Sequence, residues 1–199
     1  MSPAAPTLAI APSPHVLRVF AYGSLMNPAS AERALQRPLA PHEIQAMELP
    51  GYVRVWDSRH RVFCEALGRE TDAAFLNLAA APGESAIGMV YTVSPAELER
   101  LAAREKGYGR VNVGPALGFP PDEPVWTFID PRGLGEGGAE GNGDCVFLDA
   151  YEAKVLTACT PLGEAFIARY RASTRPPAAH LPRVPGAYRF ADPVQRSLT

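Results

Sequence analysis

Cysteine is scarce: only three of the 199 residues, and Cys64, Cys145 and Cys159 stand far apart with no Cys-x-x-Cys pair among them. An odd, scattered set argues against a disulfide framework and against a zinc site, and points to a reduced, cytoplasmic setting. Histidine is nearly as rare, and His15, His42 and His180 are isolated, so no metal is expected. Neither sign of charge prevails: 19 Lys and Arg against 21 Asp and Glu leave a formal net charge of -2. No global field is available to hold a polyanion, which excludes nucleic acid as the expected partner and favours a small neutral or zwitterionic molecule. No apolar run approaches the ~18 residues needed to span a bilayer, and the start, Met1 to His15, lacks the basic stretch of an export signal, so no membrane partner is expected. The chain also lacks internal repeats, the GxxxxGK[ST] phosphate loop and the GxSxG of many hydrolases.

What is present suits one domain with decorated ends, since most single cores fall in the range of about 100–200 residues. Residues 1–15 are Ala/Pro-rich and read as a flexible arm. Residues 16–173 read as the domain, and the Pro-punctuated segment 174–199 as an extended tail that Tyr188 and Phe190 could pin down. Within the domain, the Gly/Glu-rich segment 132–143 reads as a mobile loop, because two glutamates against one arginine would repel a phosphate.

Val16 to Tyr22 is rich in β-branched, aromatic and aliphatic residues and predicts a strand buried on most of both faces. Gly23-Ser24 breaks it, and Asn27 with Pro28 predicts a helix start. Such a turn exposes backbone N–H groups on one side, and the helix dipole adds partial positive charge, which suits a carboxylate or an oxyanion. The plainer alternative is an ordinary strand-turn-helix connection. Further strands are expected over 52–57, 61–66, 74–79 and 87–93, with Leu49-Pro50-Gly51 as a turn, residues 61–66 and 74–79 as a hairpin, and Gly88 at a bulge or a close backbone approach.

Ser94-Pro95-Ala96-Glu97 is a capping box, which sets the register of the next helix. Counted from it, Leu98, Leu101, Ala102 and Glu105 form one stripe, while Glu97, Glu99, Arg100 and Arg104 point mostly elsewhere. A carboxyl held away from water at the end of an apolar stripe is suited to taking a proton and later returning it. Alternatively Glu105 turns to water at a fraying helix end or caps a backbone N–H. Tyr108 is divided in the same way between a ligand hydrogen bond and a core ring with its hydroxyl at the rim, and Arg110 between a substrate carboxylate and an ordinary ion pair. Strands are also expected over 110–113 and 124–130, and helices over 149–159 and from Thr160-Pro161 onward. Asp57, Ser58 and His60 have the residue types of a hydrolytic triad but crowd one strand end, too close together for the relay geometry, and Cys64 reads as core filler.

Tyr22-Gly23-Ser24-Leu25, followed about eighty residues later by Glu105-Lys106-Gly107-Tyr108-Gly109-Arg110-Val111-Asn112-Val113, resembles the γ-glutamylcyclotransferase superfamily, which includes the AIG2-like proteins. Pro50-Gly51-Tyr52 and Gly88 to Ser94, running into Glu97 to Leu101, look like the intervening strands and helix of that family. The resemblance covers about Val16 to Val113. It implies a mixed α/β (α+β) fold with a barrel-like mixed sheet and flanking helices, and a cavity lined by Tyr22, Gly23, Ser24 and Leu25. It also implies a catalytic carboxylate at Glu105, a small γ-glutamyl substrate cyclised to 5-oxoproline, and no cofactor. Tyr108 and Arg110 fall within the matched segment and are candidates for contacting the substrate. The loop continuation Met26-Asn27-Pro28 differs from the glutathione-specific branch, in which an aromatic residue usually follows.

Overall fold

Val19, Phe20 and Ala21 are almost wholly buried, as expected of a strand covered on both faces, and they lie in β1 (Leu17–Ala21). The computed structural model describes residues 16–133 and 145–197. The N-terminal arm, most of the Gly-rich segment and the last two residues lie outside the described residues. A short 3-10 turn, Ser24–Met26, separates β1 from α1 (Pro28–Leu35), whose N-cap is Asn27 with its side chain accepting from the Ser30 amide at 3.3 Å.

Two long strands dominate the sheet: β2 (Ile44–Cys64) and β3 (Arg69–Val93), antiparallel along nearly their whole length. Leu49-Pro50-Gly51 is therefore not a turn. The chain runs through it, and the ladder shifts register between Pro50 and Tyr52, where Gly51 takes a φ of 79°. Proline cannot donate to a ladder, and a bulge with a left-handed glycine accommodates that loss without ending the strand. The expected hairpin is present, but its turn is Glu65–Leu67 closed by Gly68 at φ 63°, slightly ahead of the polar stretch Gly68-Arg69-Glu70-Thr71-Asp72 that the sequence suggests for it.

One edge of β3 carries β2; β1 pairs antiparallel with its C-terminal end, from Leu17 opposite Val93 to Ala21 opposite Met89. At the other end, β6 (Cys145–Leu148) pairs in parallel with Asp72–Ala74 of β3. Beyond β1 lie β5 (Val125–Ile129), parallel to it, and then β4 (Gly109–Asn112), antiparallel to β5. The Pro-rich tail, expected as extended surface chain, supplies two further strands and a short helix. They are β7 (Arg183–Val184) beside β6, β8 (Tyr188–Phe190) beside β2, and α5 (Pro193–Ser197). The fold is thus mixed α/β, with one large mixed sheet flanked by helices. Among the described residues no helix is long and apolar enough to cross a membrane.

Three helices flank this sheet besides α1 and α5: α2 (Pro95–Arg104), α3 (Asp149–Cys159) and α4 (Glu164–Ala172). The capping box of α2 forms as expected: the Ser94 hydroxyl accepts from the Glu97 amide at 3.3 Å, and the Glu97 carboxylate accepts from the Ser94 amide at 2.7 Å. The alternation Tyr52, Arg54, Trp56 places a full charge inward, for Arg54 is 0% exposed. Its guanidinium donates to the Ser173 hydroxyl at 3.0 Å and to the Ile87 carbonyl, and lies 4.3 Å from the Tyr170 ring centre, which fastens the end of α4 to the sheet. Burial without a carboxylate partner lowers its pKa to about 10.

Gly88 turns out to be a close approach. A Cβ there would sit 2.5 Å from the Ala21 carbonyl oxygen and 2.5 Å from the Phe20 ring. The β1–β3 contact that holds the Gly23 turn in place depends on that missing side chain. Gly88→Val is expected to cost about 2 kcal/mol or more, read as a lower urea midpoint. A midpoint indistinguishable from wild type would show that β1 does not seat on β3 this closely.

Candidate active site

The end of β1, the turn after it and the end of α2 converge on one cavity. Tyr22, Gly23, Ser24 and Leu25 line it from one side and Glu105 and Tyr108 from another, with Leu76 of β3, Phe128 of β5 and Tyr151 of α3 completing the walls. The cavity opens to solvent at its mouth and leaves about 50 Å³ for the centres of water-sized groups.

The turn is held from behind by phenols. Tyr91 on β3 donates to the carbonyls of Leu25 (2.9 Å) and Met26 (3.2 Å), and Tyr22 donates to the Phe128 carbonyl at 2.6 Å. Burial raises the pKa of both hydroxyls, so they remain neutral donors at any physiological pH. Gly23 lets the Tyr151 hydroxyl come near: a Cβ at this position would lie 3.2 Å from it. The hydrogen bonds of the turn begin with the Met26 amide to the Gly23 carbonyl (2.9 Å) and the Asn27 amide to the Ser24 carbonyl (3.3 Å). The amides ahead of these, at Gly23 to Leu25, are not used by the turn itself.

Glu105 does not lie within an apolar stripe. It is the C-cap of α2, with its amide donating to the Leu101 carbonyl at 2.8 Å and its side chain 21% exposed. The buried charge beside it is Arg104, whose side chain is 4% exposed. One arm of that guanidinium donates to the Glu105 carboxylate and another to the Ser24 hydroxyl at 3.2 Å, so a single side chain ties the helix end to the turn. The expectation that Arg104 points elsewhere is corrected: Leu101 and Arg104 are one helical step apart on the same face, and both are buried. The spacing held the signal, but an arginine does not register as a core residue in an apolar periodicity. Glu97 is likewise buried, paired with Arg37 at 2.6 Å.

Tyr108 sits with its ring stacked on His60 (centroids 5.4 Å apart) and its hydroxyl donating to the Leu76 carbonyl at 3.1 Å. Arg110 does not line the cavity. It is exposed on β4 and pairs with Glu99 at 2.7 Å, the surface ion pair that is the alternative to substrate binding, since alternation along that short strand turns it outward.

Beneath Tyr108 runs a polar chain that crosses three segments. The Ser58 hydroxyl donates to Asp130 at 2.9 Å and lies 3.2 Å from His60 Nε2, and His60 Nδ1 lies 3.3 Å from the Gln195 amide of α5. This is not a hydrolytic relay: the serine sits between carboxylate and imidazole and gives its proton to Asp130, so the histidine has no hydroxyl to deprotonate. Asp130 is not legible in the sequence as a partner because it lies 72 residues from Ser58. Burial would raise its pKa, but bonds from Arg132 and Ser58 outweigh that and hold it below the usual value. His60 shifts downward, chiefly by burial.

Neither family models nor curated proteins match this chain. Solved structures similar to it include a solution structure from Arabidopsis thaliana (25% identity; 61% of this chain and 76% of that one; TM-score 0.39). Two others are a γ-glutamyl cyclotransferase (12% identity; 82% and 90%; TM-score 0.48) and a glutathione-specific γ-glutamyl cyclotransferase from yeast (15% identity; 81% and 98%; TM-score 0.49).

The His60 environment makes a prediction. Its imidazole titrates below the usual 6.5 in the folded state, so the unfolded chain takes up the proton first as pH falls. Stability present at neutral pH is therefore lost as pH drops below about 6.5. Urea melts at about pH 7.5 and about pH 5.5 should show a larger loss for wild type than for His60→Gln. Equal losses would mean that the ring is free to charge in the folded protein.

Proposed function

We propose that this chain is a γ-glutamylcyclotransferase-type enzyme that cyclises a γ-glutamyl amide or peptide to 5-oxoproline and releases an amine or amino acid. One observation carries the reading: the Glu105 carboxylate and the Gly23–Leu25 turn line the same cavity. The order of motifs in the sequence, Tyr22-Gly23-Ser24-Leu25 and later Glu105 to Val113, supports it independently.

The chemistry follows from what those groups can do. The substrate folds so that its own α-nitrogen approaches its γ-carbonyl carbon. As an ammonium that nitrogen has no lone pair, so Glu105 first accepts its proton. The new N–C bond then closes a five-membered ring, Glu105 passes its proton to the departing nitrogen as the old C–N amide bond breaks, and the second proton, shed by the ring nitrogen as it becomes a lactam N–H, goes by way of Glu105 to the released amine, which leaves as an ammonium. Attack is intramolecular, so the protein's task is to hold the folded conformer and to manage these two protons. Amides at Gly23, Ser24 and Leu25 supply hydrogen bonds to the substrate α-carboxylate or to the oxyanion that develops at the γ-carbonyl. Arg104 holds the Glu105 carboxylate toward the turn, and Tyr22 and Tyr108 shape the walls. Arg110 has no part in this scheme.

A second reading has one observation in its favour. Because Glu105 is already engaged by Arg104, the cavity also suits a domain that binds a small anionic metabolite without converting it. Turnover separates the two. A panel of γ-glutamyl dipeptides, γ-glutamylamines and glutathione should yield 5-oxoproline from at least one member. Glu105→Gln should lower that rate by about a hundredfold or more while circular dichroism shows the protein still folded at the assay temperature, although its melt falls because Arg104 loses its counter-charge. Arg110→Ala should leave it unaltered. Ligand-dependent stabilisation across the panel with no product would favour the binding domain.

A further inference from the structure

The loop cavity adjoins a second chamber, and four residues line both: Ser24, Glu105, Tyr108 and Tyr151. Its far walls come from elements that the motif resemblance does not cover. Lys154 projects from α3, Tyr188 and Phe190 from β8, and Gln195 from α5, with Phe75 and His60 behind them.

Two features of this chamber are unusual. The first is Lys154, half-buried one helical step beyond Tyr151 on α3. Among the described residues no hydrogen bond or ion pair engages its ammonium. The charges that act on it are two more cations, Arg104 and Arg33, and these together with burial shift its pKa downward. Arg104 is already committed to Glu105, so among the described residues that line this chamber the lysine is the cation left without a counter-charge. The second is the aromatic wall: Phe75 packs on Phe190 at 5.2 Å and on Tyr188 at 5.8 Å between centroids. An uncompensated cation beside an aromatic surface is complementary to a molecule carrying one carboxylate and one apolar side chain.

We propose that the second chamber is the leaving-group site, and that Lys154 binds the carboxylate of an amino acid whose side chain is aromatic or large and apolar. This rests on the cyclotransferase reading, which puts the departing nitrogen at Glu105, on the boundary between the chambers. The γ-glutamyl half occupies the loop cavity, and the substituents of the departing nitrogen extend past Tyr108 toward Lys154 and the aromatic rings. A γ-glutamylamine would leave the lysine unpaired.

The test compares γ-glutamyl-L-phenylalanine with γ-glutamyl-phenethylamine, which differs only in lacking the leaving-group carboxylate. Wild type should favour the first by about tenfold or more in kcat/KM, mostly through KM. Lys154→Gln should remove that preference by slowing the phenylalanine conjugate alone, and Lys154→Arg should restore much of it. Equal rates for the two substrates with wild type, or an equal loss on both with Lys154→Gln, would overturn the assignment. If wild type turns over neither conjugate but cyclises another member of the panel, the assignment is overturned; if it cyclises no member, the enzymatic reading fails while the chamber is still tested by calorimetry. Binding of L-phenylalanine stronger than phenethylamine, lost in Lys154→Gln, supports it; no difference between the two ligands, or none between the proteins, refutes it.

Discussion

The buried guanidinium of Arg104 is the constraint around which the site is arranged. A cation sealed from water is tolerated only where its donors find acceptors, and a carboxylate is the strongest available. Here Glu105 and the Ser24 hydroxyl fill that need, one from the end of α2 and the other from the turn after β1. The pairing keeps two segments eighty residues apart in sequence at one wall of a cavity. It also fixes a carboxylate that would otherwise swing freely.

The sheet supplies what this tie needs to be effective. The turn after β1 can present its amides only if β1 seats closely on β3, which Gly88 permits, and only if its carbonyls are occupied from behind, which Tyr91 does, while Tyr22 ties the end of β1 to the Phe128 carbonyl of β5. Each of these hydroxyls is an uncharged donor deep in a dry interior, where a hydrogen bond orients a loop more firmly than it would in water. The pre-set turn and the tethered carboxylate thus depend on one another.

Away from the turn, the tail and α3 enlarge the cavity. Tyr188, Phe190 and Gln195 approach it only because β8 pairs with β2, and Lys154 only because β6 carries the chain back under β3 and into α3. The portion of the chain that resembles a known superfamily provides the loop and the carboxylate. The portion outside it provides Lys154, Tyr188, Phe190 and Gln195, which the proposed cyclotransferase reading sets beside the departing group. Residues that select among leaving groups need not be those that move the proton, because the two tasks act on opposite sides of the bond that breaks.

Local rules are enough to read the elements that close on themselves. The capping box at Ser94 and Glu97, the N-cap at Asn27, the buried strand Val16 to Tyr22 and the helix from Asp149 depend on neighbours three or four residues away, so their signals are written in short windows. The bulged passage through Pro50 reads as a turn because proline marks a turn and a bulge alike, and only the ladder with β3 separates them. Glu105 and Tyr108 are visible by motif. Arg104 is not, since a charged residue on a buried face is explained by a partner rather than by a period. The Ser58–His60–Asp130 chain and the position of Lys154 are likewise out of reach, for each depends on segments brought together by the sheet. Sequence alone determined the elements whose signals are local, such as β1, α1, α2 and α3, through backbone and capping preferences, but not the passage through Pro50 or the strands and helix of the tail. Tertiary structure decided which charges meet and which stands alone, because those pairings are set by contacts between distant segments and by the loss of water around them.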